Sequence, residues 1–385
     1  MDGKETDKEC PKGLMSLALA NNYLAVNLHR LLAEEKGNVF FSPFSISTAM
    51  AMLLCAAEGE TESEMRAALG HDHAGIKKDE ISCLFEQQMP LLLTETPNYT
   101  LSNANSMLSQ KGFDVKEEYK QILAKSFKAL LLEVDFLNEN EKTVQEINNW
   151  VKEKTNDMIP ELVQSLDPAT VLVLLNAVYF KGTWSEKFEK EATYPQNFYN
   201  KGADENVKEI DMMHMKESFP FYEDEFLQVL QLPYVGDNIA MLVLLPREKN
   251  GLESLEASLT PSFIGDMRSK LWRKKVEVSL PRFRLEYTKS LVPCFQILGI
   301  NQLFNRGAEL GAASDSGDLA VSEILHKAVL EVNEEGSEAA AATMACVMMC
   351  ALIFDPVFTA DHPFAFVIFD TTSDLILFMG RVDEL

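Results

Sequence analysis

The spacing of apolar residues predicts an α+β fold in one domain. Segments with helical spacing gather in the first half of the chain, and short apolar runs suited to strands gather in the second. The apolar fraction of 46% suits a chain with a sizeable core. A length of 385 residues alone would allow two or three domains. No Gly/Ser linker, internal repeat or low-complexity block divides the chain, so 1–385 reads as one unit with a polar extension over 1–16.

Leu17 to Leu32 carries apolar residues at helical spacing and ends in charge, the mark of an amphipathic helix. Ser45 to Ala57 is apolar almost throughout and predicts a more buried helix. Thr61 to Leu69 predicts a short helix, with Thr61 and Glu64 spaced as a capping box. Glu141 to Asn156 reads as a surface helix stopped before Pro160. Thr170 to Phe180 is nearly continuous in apolar residues, as a central strand covered on both faces would be. Ile239 to Leu245, Val276 to Leu280, Ala328 to Val332 and Phe364 to Phe369 predict further strands.

The charge balance, 35 basic against 59 acidic residues for a net −24, argues against nucleic acid as a partner, because an acidic surface repels phosphate. The local exception is Arg268 to Lys275, RSKLWRKK, followed by Arg282 and Arg284. It is expected to be a solvated turn entering the strand Val276–Leu280, with a local polyanion site as the alternative. No apolar core follows the polar opening MDGKETDKECPKG, so a cleavable secretory signal is not expected. Cysteines 10, 55, 83, 294, 346 and 350 lack framework spacing and read as free thiols in a reducing compartment. A cytoplasmic location is expected. Unconventional secretion is the alternative, and the ER is a lesser one, because Val382-Asp-Glu-Leu has valine where a retention tail carries a basic residue. Asn98-Tyr-Thr has glycosylation spacing, which matters only in the secretory pathway.

Catalytic patterns are thin. There is no G-x-S-x-G elbow. Cys350 could be paired with His362 or His326, but a cysteine in a long apolar segment has no rigid support for a base or an oxyanion hole. Cys346 with Cys350, and His71 with His73, offer two ligands each, and nothing local completes a four-coordinate zinc site. Neither enzymatic activity, nor a metal, nor a cofactor is expected.

The most informative segment is Glu334 to Phe354, EEGSEAAAATMACVMMCALIF. From Ala339 to Phe354 it has no charge, proline or glycine, yet charged residues flank it and Asp355-Pro356 closes it. It falls short of the roughly 18 apolar residues of a membrane span. A core helix and a strand-competent loop both remain open, since alanine is the best helix former. Read with period two, one face carries Ser337, Ala339, Ala341, Thr343 and Ala345, all small. The other carries Glu338, Ala340, Ala342, Met344, Cys346 and Met348.

The words around this segment resemble those of a known family. His326-Lys-Ala-Val-Leu-Glu-Val-Asn-Glu-Glu-Gly-Ser-Glu-Ala-Ala-Ala-Ala-Thr resembles the hinge of the serpins, and Thr359-Ala-Asp-His-Pro-Phe-Ala-Phe their C-terminal signature. Asn38-Val-Phe-Phe-Ser-Pro-Phe-Ser-Ile-Ser and Leu175-Asn-Ala-Val-Tyr-Phe-Lys-Gly-Thr-Trp match upstream motifs. The resemblance runs from about Leu17 to Val382 and is strongest to the intracellular, ovalbumin-type branch. It implies three β-sheets surrounded by about nine helices, with residues 334–357 as an exposed reactive-centre loop.

It also implies a suicide-substrate inhibitor of elastase-like or chymotrypsin-like serine proteases, acting as a monomer. The protease attacks the loop, and the freed loop inserts into the main sheet with the acyl-enzyme attached. Family spacing from Gly336, and backwards from Pro363, places the scissile bond at Cys350–Ala351, with Met348 and Met349 as alternative recognition residues. The hinge corresponds to Glu334, Gly336, Ser337, Glu338, Ala339, Ala340, Ala341, Ala342 and Thr343. Ser42, Ser45, Asn176 and His326 match the shutter under the main sheet, and Trp184, Arg282 and Glu334 the breach where insertion starts. No Lys or Arg lies between Gly336 and Pro363, which argues against trypsin-like targets. Papain-like cysteine proteases stay open as partners. Heparin activation is not expected, because Ile76 to Leu93 lacks a basic cluster. The alternative within the family is a non-inhibitory chaperone or binding protein.

Overall fold

A computed structural model describes residues 12–92, 99–315, 319–335 and 355–385. Nine α-helices occur among these residues: α1 (Lys12–Ala33), α2 (Pro43–Ala56), α3 (Gly59–Ala68), α4 (Lys78–Leu92), α5 (Glu117–Ser126), α6 (Asn140–Lys154), α7 (Leu252–Ser258), α8 (Phe263–Arg268) and α9 (Val292–Ile297). The strands are β1 (Val39–Phe41), β2 (Tyr99–Gln110), β3 (Leu130–Val134), β4 (Leu172–Gly182), β5 (Thr193–Tyr199), β6 (Val207–Glu223) and β7 (Leu227–Pro233). They continue with β8 (Ile239–Pro246), β9 (Trp272–Pro281), β10 (Phe283–Ser290), β11 (Val321–Val332), β12 (Val357–Thr359), β13 (Phe364–Asp370) and β14 (Ile376–Val382).

One sheet has five strands in the order β10-β11-β4-β2-β3. A second ladder runs β1-β14-β13-β8-β7-β6-β9-β12, with β5 attached to β6. Successive portions of β6 pair with β5, β9 and β7, so the three sheets implied by the family resemblance appear as two continuous ladders.

Period two explains the apolar run of β4. Leu172, Leu174, Val178 and Phe180 enter the main core, while Val173, Leu175, Ala177 and Tyr179 enter a second core with Ile147 and Val151 of α6. Asn176 has the parity of the main-core residues. Under that face lies α2, buried along its length except for half-buried Cys55. Its start is fixed by Ser42, whose side chain accepts from the Ser45 N–H, and by Pro43 in the first turn. α2 touches both β4 and β14 and so joins the two sheets.

Two local expectations are corrected. Thr61 does not cap α3, which begins at Gly59 and has no side-chain cap of its own. Instead Glu309 Oε2 accepts from the Glu60 and Thr61 N–H groups (2.6 and 3.4 Å), while Thr61 Oγ1 accepts from Glu309 N–H (3.0 Å). Glu64 accepts from Asn301 and Gln302 N–H, so the expected box is replaced by stitches to a distant loop. In the basic segment, Arg268 ends α8 and only Ser269 to Leu271 form the turn, while Trp272 to Lys275 already belong to β9. Among the described residues no helix is long and apolar enough to cross a membrane.

Candidate functional site

Two neighbouring strands of the five-stranded sheet frame the site. β11 and β4 run parallel and are hydrogen-bonded, with His326 opposite Asn176. Asn105 on β2 stands opposite Asn176 on its other side. Three polar side chains therefore line up across three strands, on the face that meets α2.

Their hydrogen bonds fix the protonation pattern. The Ser42 N–H donates to His326 Nε2 (3.2 Å), so that nitrogen carries a lone pair. The ring proton is then on Nδ1, which donates to Asn176 Oδ1. Asn176 Nδ2 donates to Ser45 Oγ and Asn105 Oδ1. Ser42 Oγ donates to the Leu377 carbonyl (2.7 Å) and accepts from Ser45 N–H (3.2 Å). Ser42, Ser45, Asn176 and His326 are all buried. Burial without a countercharge pushes the His326 pKa down to about 3, so the imidazole is neutral. The sequence had indicated four of these five residues. Asn105 was missed: it sits among Ser102, Asn103, Ala104 and Ser106, where no apolar alternation marks a strand.

Beyond the end of β4, Trp184 Nε1 donates to the Asn333 carbonyl (2.9 Å) and its ring stacks on Tyr234, with centroids 4.4 Å apart. The Phe188 N–H donates to the Glu334 carbonyl (3.2 Å). The buried Glu334 carboxylate lies 3.5 Å from Arg282 Nη1, and Arg282 also pairs with Asp211. Lys190 pairs with Glu335. Lys190, Asp211, Arg282, Asn333, Glu334 and Glu335 line an open cleft of about 560 Å³ at the last described residues before the loop. Asp211 and Asn333 were not anticipated; both act through partners remote in sequence.

Hinge positions 336–343, Met348, Met349, Cys350 and Ala351 lie outside the described residues, as do Asn98, Cys10 and Cys346. The chain resumes at Asp355, paired with Lys216 (3.1 Å), and enters β12, which lies parallel to β9.

His326 is engaged at both nitrogens, and His362 faces Asp361 Oδ1 (2.7 Å) and the Pro246 carbonyl (2.8 Å). His71 and His73 differ: His73 is exposed and stacks on Tyr23, whereas His71 is buried. Burial, then Arg66, push the His71 pKa down to about 4. No group of three or more potential ligands suited to a metal occurs among the described residues. Cys55, Cys83 and Cys294 are free thiols, and burial raises that of Cys55 to about 12.

This architecture has close relatives. The leukocyte elastase inhibitor of Sus scrofa is 41% identical over 381 residues, covering 96% of this chain and 99% of that protein. Iripin-2 of Ixodes ricinus is 40% identical over 374 residues, covering 96% and 94%. Intracellular coagulation inhibitor 1 of Tachypleus tridentatus is 38% identical over 379 residues, covering 97% and 90%. Among solved structures, human thyroxine-binding globulin aligns with a TM-score of 0.88 at 27% identity, covering 97% and 99%. Uncleaved ovalbumin aligns at 0.87 and 25%, covering 96% and 100%. The family model for Serpin (serine protease inhibitor) matches residues 19–385, and with the sheet order and the buried polar row already described, the chain belongs to the serpin family.

Proposed function

We propose that this serpin is a suicide-substrate inhibitor of elastase-like or chymotrypsin-like serine proteases. One observation carries the reading. The chain leaves β11 beside a strand, β4, that runs parallel to it with no strand between. A segment that turned back after Glu335 and entered that seam would be antiparallel to both neighbours. One parallel ladder would be exchanged for two antiparallel ones, which are individually somewhat more stable. Cleavage at Cys350–Ala351 would release the segment to do this, and the acylated protease would travel with it. Before cleavage the fold is held by a barrier, of the kind the handful of bonds at Asn176, His326, Trp184 and Glu334 provides.

The residues assigned to insertion suit that path. Ser337, Ala339, Ala341, Thr343 and Ala345 are small, and Gly336 frees the backbone at the bend. Cys350, or Met348 and Met349 in a shifted register, offers an uncharged apolar group to the primary pocket. One relative is named as an inhibitor of leukocyte elastase, and another as an intracellular coagulation inhibitor. A cytoplasmic, monomeric inhibitor is the form proposed, and a papain-like protease is a secondary target.

Incubation with pancreatic elastase and with chymotrypsin tests this. The expected product is an SDS-stable complex of summed mass. Clean cleavage of the loop with no complex would instead assign the protein to the non-inhibitory serpins, for which a binding role is the remaining reading.

A further inference from the structure

We infer that the cationic end of β9 is a docking surface for the body of the target protease, and that it selects proteases acidic around their active-site cleft. This rests on the inhibitor reading above and extends it to the choice of target. Lys270, Trp272, Arg273, Lys274 and Lys275 are all exposed, and Trp272 is 73% accessible. Arg273, Lys274 and Lys275 have no ion pair with a carboxylate among the described residues, whereas Lys270 lies in the field of Asp224 and nearby Lys216, Arg247 and Arg268 are all paired. Instead Arg273 donates to the Ser218 carbonyl (3.2 Å), and Lys270 and Lys274 sit over the rings of Tyr222 and Phe221. An unneutralised cluster on a chain of net charge −24 is an attractive patch on a repulsive surface.

Its position identifies the occupant. β12 runs parallel to β9 with Val357 opposite Glu277, so residues preceding Val357 lie toward the Lys275 end. Glu277 N–H donates to the Pro356 carbonyl (3.0 Å), and Asp355 pairs with Lys216 on the adjacent strand. The proposed scissile bond lies a few residues before Asp355, within about 18 Å of chain. From Glu277 to Trp272 is about 17 Å along the strand. A globular protease domain of ~200 residues has a radius of gyration of about 16 Å. A protease holding Cys350–Ala351 is therefore wide enough to cover the β9 end, where Trp272 offers a large rigid contact among charges that steer the approach.

The test uses chymotrypsin and chymotrypsin whose lysines have been succinylated, which keeps the active site and adds negative charge. Second-order trapping rates are measured for the intact protein and for the Arg273→Gln/Lys274→Gln/Lys275→Gln variant, at about 50 mM and about 500 mM salt. The intact protein should trap the succinylated enzyme about tenfold faster than the variant at low salt, with the gap closing at high salt. Both proteins should trap unmodified chymotrypsin at similar rates. Equal rates with the succinylated enzyme overturn the docking surface while leaving inhibition intact. Equal rates together with loss of retention on low-molecular-weight heparin reassign the patch to a polysaccharide and also overturn it. No trapping of either enzyme by either protein removes the inhibitor reading, and this surface with it.

Discussion

Two buried polar networks in this molecule are built from different chemistry. Across the β4–β11 seam, Ser42, Ser45, Asn105, Asn176 and His326 are joined by neutral hydrogen bonds. Between α1, α7 and β14, the network is ionic. Glu256 accepts from Arg381 Nη1 (3.0 Å) and bonds His29 Nε2 (2.9 Å), while Arg381 also donates to the carbonyls of Glu35 and Gly37. All three ionisable side chains are buried. Neutral groups cost less than charges when their partners separate in a low-dielectric interior. The seam that the proposed mechanism must open is built of bonds that can break and re-form, and the region that stays closed is fastened by charge.

Removing a partner should cost most in the ionic network. Glu256→Ala leaves Arg381 buried without its carboxylate, a loss of about 3–5 kcal/mol. Urea unfolding of the variant, compared with Glu256→Gln, measures it. A loss below about 1 kcal/mol would mean that the charges are solvated and the contrast is false.

At the seam, Asn176→Ala should cost about 2–3 kcal/mol, since buried His326 Nδ1–H loses its acceptor and Asn105 Oδ1 keeps only the longer bond from Ser45 Oγ (3.4 Å). The same variant should polymerise faster on mild heating, as followed by native gels, because the neutral row also bars entry to the seam. If Asn176→Ala proves costlier than Glu256→Ala, the comparison is broken.

Acid acts next on the neutral seam, and also on buried His71, which belongs to neither network. The folded-state pKa of His326 is depressed to about 3 and that of His71 to about 4, so the unfolded chain binds more protons than the native one. Their stabilising effect is complete above the unfolded value near 6.5 and is lost as pH falls from there towards 4 and 3. At pH 5 each should have given up about 2 kcal/mol. Thermal midpoints at pH 7.5 and pH 5 would register it. His326→Gln should flatten the seam's share of the slope, and an unchanged slope would mean that His326 is not the neutral group its bonds describe.

The seam was legible in sequence because its residues lie inside recognisable words. His326 opens the hinge phrase, Asn176 interrupts an otherwise apolar strand, and Ser42 stands before Pro43 at a helix start. β4 itself declared its burial because both parities are apolar, one for each core. Asn105 was illegible because β2 (Tyr99–Gln110) reads YTLSNANSMLSQ and carries too few apolar residues to announce a strand. The capping box at Thr61 failed for a different reason. The cap comes from Glu309, 249 residues from Glu60, and no local spacing encodes a partner so distant. Likewise β9 begins at Trp272 because β6 supplies its partners, Trp272 opposite Phe221, although four exposed residues in a row look like a turn.

The smallest equilibrium effect is expected where the two designs meet. At the top of the seam a single buried charge, Glu334, takes part in an otherwise neutral fastening. Its partner Arg282 is half exposed and retains Asp211, so much of the pair's attraction is screened. Glu334→Lys should therefore shift the urea midpoint little, by about 1 kcal/mol or less in stability, because a long lysine can reach the open cleft. Its effect should be kinetic. Repulsion from Arg282 parts the sheet where the chain leaves β11, so monomer should be lost to polymers severalfold faster on mild heating. Monomer that survives as well as the unaltered protein would show that the neutral row alone holds the seam. A large fall in stability would instead place Glu334 with the ionic network.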